Sequence, residues 1–61
     1  MRCRRFTTKQ AHAARRRVRI PARVSDAQLA RCMNAEREHA DVTRCSAVQT
    51  ARICAAHLRK G

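Results

Sequence analysis

One phenylalanine, two leucines and two isoleucines are, valine and methionine aside, all the larger apolar side chains that 61 residues offer for a core. Tryptophan and tyrosine are absent, and alanine makes up most of the aliphatic remainder. A chain this short stabilises a single core only marginally without a metal, a disulfide or a second subunit. The composition therefore predicts one domain at most, and an obligate oligomer is the expectation for a chain with so little to build a core.

Charge narrows the partner. Fifteen Lys and Arg face four Asp and Glu, a formal net charge of +11, and a field of that size attracts polyanions. Thirteen of the cations are arginines, the side chain suited to bidentate contact with phosphate and guanine. Residues 1 to 23 hold nine cations and no acid, whereas residues 24 to 61 hold six cations and all four acids. The first third is the expected polyanion-facing part.

Residues 1–16 read as a basic N-terminal arm, flexible by composition. Thr7 and Gln10 fit a helix capping box ahead of an Ala-rich run, and a helix of that length alone in water is marginal, so it is expected to form on a partner. Residues 17–61 read as the folded domain. Arg17, Arg19, Pro21 and Arg23 alternate with Val18, Ile20, Ala22 and Val24, the period-two pattern of a strand with a basic and an apolar face. Pro21 restricts such a strand to an edge or a two-stranded ribbon, because it has no N–H to donate.

Ser25, Asp26 and Gln28 form the clearest helix start in the chain. Ser25 is the N-cap, Asp26 sits at the positive end of the helix, and Gln28 completes a capping box. Val24 and Leu29 are spaced as a hydrophobic staple. The helix is expected from Asp26 to about His39, with Leu29, Cys32, Met33 and Glu36 along one stripe. A second helix follows, capped by Thr43 or Ser46, with Ala47, Val48, Ala51, Cys54, Ala55 and Leu58 on its apolar stripe.

Chemistry beyond binding finds little support. No nucleophile sits at a glycine-lined turn and no glycine-rich loop can cradle a phosphate, since Gly61 is the sole glycine. The chain is read as a non-enzyme with no cofactor. Cys45, Cys54, His39 and His57 are ligands of the right type for zinc, but no close pair such as C-x2-C is present. Cys32 and Cys54 fit better as small apolar residues, so no metal is assigned. No run approaches the roughly 18 apolar residues of a membrane span, and the N-terminal residues lack the apolar core of a secretory signal. A cytoplasmic protein with reduced cysteines and no membrane partner is expected.

The order of basic strand, capped helix, connector and second helix resembles the ribbon-helix-helix DNA-binding proteins of the Arc/MetJ type. "VRIPARVSDAQLARC", residues 18–32, resembles the family's strand and first-helix start, and "VTRCSAV", residues 42–48, the opening of its second helix. The chain departs from the family in lacking the usual connector glycine and in carrying Pro21 in the strand. The resemblance implies a mostly α fold with one short β-strand, in an intertwined homodimer whose paired strands enter the major groove. It implies base reading by Arg17, Arg19 and Arg23, with phosphate held at Arg44, Cys45, Ser46 and Ala47 by the start of the second helix. Arg4, Arg5, Arg15 and Arg16 would add phosphate contacts from the arm side. Val24, Leu29, Met33, Val48, Ala51, Cys54 and Leu58 would form the dimer core.

The function expected on these grounds is sequence-specific binding of double-stranded DNA, as a repressor or a factor that organises a DNA site. An all-α three-helix protein that clamps structured RNA or the ribosome is the alternative, and a small protein-binding inhibitor or subunit of a larger complex is the third. Stacking of unpaired bases is disfavoured, since Phe6 is the sole aromatic.

Overall fold

Capping chemistry sets where the helices start. Thr7 accepts a hydrogen bond from the Gln10 N–H at 3.2 Å, and its own N–H donates to Gln10 Oε1 at 2.8 Å. Ser25 and Gln28 repeat the same reciprocal pair at 3.1 and 2.9 Å. Ser46 Oγ accepts from the Gln49 N–H at 3.2 Å. Each bond satisfies an amide that the first helical turn leaves without a partner. The result is α1 at Thr8–Arg15, α2 at Asp26–His39 and α3 at Ala47–Arg59, in a computed structural model that describes residues 4–39 and 46–59.

Each helix packs against the other two. Alanine makes this possible: Ala11 and Ala14 of α1, Ala30 of α2 and Ala51 of α3 are buried, and small side chains let helix backbones approach closely. Phe6, Val24, Leu29, Met33 and Cys54 fill the space between them, with Val18, Ile20, Cys32, Ala47 and Leu58 packed around the margin. Leu29 and Met33 are fully buried, each worth about 1.5–3 kcal/mol of transfer free energy. Thr50, the one buried polar residue among those described, donates its hydroxyl to the Ser46 carbonyl at 2.7 Å, so its burial leaves no polar group unpaired.

The strand expected over residues 17–24 does not form, and the ribbon-helix-helix architecture falls with it. Among the described residues the fold is all-α, the three-helix arrangement that the sequence offered as the alternative. The physical reason lies in the backbone. Arg17 N–H donates to the Ala14 carbonyl at 3.0 Å, closing the end of α1, and Val24 N–H donates to the Pro21 carbonyl at 3.0 Å, closing a turn. The Pro21 and Val24 carbonyls, which a strand would offer to a neighbour, accept instead from the Arg15 guanidinium. The alternation has a different cause: Val18, Ile20 and Val24 face the helical core from a looping connector.

The side chains assigned to a dimer core have a place inside one chain. Val24, Leu29, Met33, Ala51 and Cys54 are buried in it, and Leu58 packs against the same cluster. Val48 is half-buried. The capped helix expected from Asp26 to about His39 spans those residues.

Candidate nucleic-acid interface

The cations of the first third separate into two groups with different work. Arg15 is an internal tie. Its Nη1 donates to Asp26 Oδ1 at 2.7 Å, and its Nη2 donates to the Pro21 carbonyl at 3.3 Å and to the Val24 carbonyl. Arg23 is the second tie, with Nη2 donating to the Leu58 carbonyl at 3.0 Å. Leu58 lies in the last turn of α3, where carbonyls lack helical partners and the helix dipole favours a cation. Arg15 and Arg23, expected on phosphate and on bases, are thus spent in part on the protein's own backbone.

Asp26 is the acid that organises this corner. Its second oxygen lies 2.9 Å from His12 Nδ1. The hydrogen bond from Arg15 is the largest cause holding the Asp26 carboxyl below its ordinary pKa; it outweighs the cost of desolvation, and His12 adds to it. The first acid after a long basic run is therefore already neutralised by its neighbours. Glu36 is paired likewise with His57, 3.2 Å away.

The remaining cations of residues 4–23 stand outward. Arg4, Arg5, Lys9, Arg16, Arg17 and Arg19 are exposed, and among the described residues no ion pair with an acid engages them. Arg4 and Arg5 precede Phe6, which is only 5 % exposed and fixed to α2 by Asn34. Arg16 and Arg17 follow directly on α1. Eight helical residues span about 12 Å, so the two clusters bracket a length comparable to three or four base-pair steps. Arg17 and Arg19 are brought to the connector rather than to a ribbon.

Lys9 was not foreseen as a contact. The signal was present: the Thr7–Gln10 box starts a helix, and Ala11 and Ala14 at i, i+3 define its buried face, which leaves Lys9 outside. Ser46 and Ala47 are half-buried at the start of α3, with the Ser46 hydroxyl used in capping. Arg44 and Cys45 lie outside the described residues, as does the side chain of His39. Cys54 is buried and His57 is paired with Glu36, and among the described residues no group of three or more His, Cys, Asp or Glu side chains is arranged to hold a metal ion. No helix among them is long and apolar enough to cross a membrane.

Comparison with models of protein families, with curated proteins and with solved structures finds no match for this chain.

Proposed function

We propose that this protein binds double-stranded DNA through phosphate contacts made by Arg4, Arg5, Lys9, Arg16, Arg17 and Arg19. The observation that carries this reading is the division of labour along residues 4–23. Two of eight cations, half-buried Arg15 and exposed Arg23, tie the fold together, the other six are exposed, and no acid lies among them. Six exposed cations on a packed scaffold are a built electrostatic footprint rather than a charged tail. Burial of Phe6 removes the one ring on which an unpaired base would stack, which favours a duplex over a single strand. Contacts of this kind position a protein on the backbone, and sequence preference requires further contacts to base edges. One chain suffices for the contacts named here, and a homodimer on adjacent sites would double them.

Fluorescence anisotropy of a labelled duplex of mixed sequence, titrated at several salt concentrations, tests this. Six neutralised phosphates give a log–log slope of about −5 against salt. A slope near zero, or tighter binding to an RNA hairpin of equal charge, would overturn it. Light scattering with and without the duplex reads the number of chains bound.

A further inference from the structure

Cys32 and Cys54 face each other across the α2–α3 interface. The register of the two helices follows from their ends: Gln28 at the start of α2 lines one cleft with His57 and Leu58 at the end of α3, and Arg23 just before α2 donates to the Leu58 carbonyl. His57 also lies 3.2 Å from Glu36, one turn after Cys32, so the end of α3 crosses α2 over the turns on either side of Cys32. One turn onward from Gln28 is Cys32, and one turn back from Leu58 is Cys54. Both belong to the same packed cluster, Cys54 fully buried and Cys32 at its half-buried margin.

We infer that Cys32 and Cys54 are an oxidation site, forming an intramolecular disulfide between α2 and α3 when the protein meets a peroxide. The half-buried Cys32 is the sulfur that the oxidant reaches. Its thiolate attacks hydrogen peroxide, the O–O bond breaks, and Cys32 becomes a sulfenic acid with release of one water after proton transfer. Cys54 sulfur then attacks the Cys32 sulfur, the S–O bond breaks, and the Cys54 proton leaves with the hydroxyl as a second water. Two thiols are oxidised and one peroxide is reduced to two waters. Burial, with a hydrogen bond to Cys32, pushes the Cys54 thiol well above the ordinary thiol range, which leaves Cys32 as the sulfur that reacts first. The site lies among the helix contacts and its chemistry does not depend on whether the chain binds DNA.

The test uses the full chain carrying Cys3→Ser and Cys45→Ser, treated with hydrogen peroxide while folded, then alkylated and digested with trypsin. Cleavage after arginine releases CMNAER and ICAAHLR. The expected result is one linked species of these two peptides, with the intact chain two hydrogens lighter and no gain in chain number. A bridge closing a segment of this length raises the melting temperature by roughly 10 °C or more. Alkylation of both cysteines after treatment, or oxidation of Cys32 alone to a sulfinic acid, would overturn the inference. Cys32→Ser, altered at the half-buried position, is a second check: its Cys54 should remain a free thiol under the same peroxide.

Discussion

The side-chain amide of Asn34 holds the backbone of Phe6 at both of its polar groups: Asn34 Oδ1 accepts from the Phe6 N–H at 2.7 Å, and Nδ2 donates to the Phe6 carbonyl at 3.0 Å. An amide is matched to this role because it carries a donor and an acceptor side by side. The pair fastens the segment before α1 to the middle of α2, so Arg4 and Arg5 project from a fixed point.

Asn34→Leu keeps a side chain of similar size but leaves both Phe6 groups without their partner. A loss of about 1–3 kcal/mol is expected, read as a lower denaturant midpoint. Asn34→Asp keeps the acceptor and loses the donor, and it is expected to fall between Leu and wild type near neutral pH.

Arg15 and Arg19 are the same residue type with opposite roles. Arg15→Ala removes bonds to Asp26 and to two carbonyls and should cost about 2 kcal/mol of stability. Arg19→Ala should change stability by less than about 0.5 kcal/mol and flatten the DNA salt slope by about one. Urea unfolding and anisotropy on the same two variants separate the roles, and equal effects from both would contradict this assignment.

Stability should fall in acid through Asp26. Its carboxyl has a lower pKa folded than unfolded, so the folded chain binds the proton less readily. The contribution is fully present above the unfolded value of about 3.9 and is lost as pH falls through the folded value. Thermal melts from pH 6 downward should show this loss, and Asp26→Asn, less stable at pH 6, should show a smaller slope below about pH 4.

Met33→Ala and Leu29→Ala each empty a fully buried position. Such truncations cost about 2–5 kcal/mol, and a chain of this length has only about 3–9 kcal/mol in total. The denaturant midpoint should therefore fall steeply in either variant, whereas Ile53→Ala, exposed on α3, should leave it nearly unchanged.

Much of the fold could be read from the sequence wherever the cause was local. The Thr7–Gln10, Ser25–Gln28 and Ser46–Gln49 pairs mark three helix starts through bonds spanning three residues, and α2 occupies the range its cap and stripe predict. Residues 17–24 misled because period two records only which side chains face the core. A looping connector that turns alternate side chains into a helical core satisfies that pattern as well as a strand does. What decided between them was distant in sequence: the capture of the Pro21 and Val24 carbonyls by Arg15. Scarcity of large apolar residues pointed to a second copy for the core, and that count left out how closely Ala11, Ala14, Ala30 and Ala51 let the helices of one chain pack. Of the candidate interface, the basic tract was legible from composition. The diversion of Arg15 and Arg23 to internal carbonyls was not, since no local pattern distinguishes a tying arginine from an outward one.

The connector over residues 16–25 grips every helix: Arg15 is locked to its carbonyls at the end of α1, Ser25 caps α2, and Arg23 closes α3. A join of this kind works as a keystone. No helix can peel off by itself without loosening the others, so the slowest amides of α1, α2 and α3 should exchange with one common opening free energy, as a single foldon. Within the three helices, a protease that awaits local fraying then gains access only when all three open together.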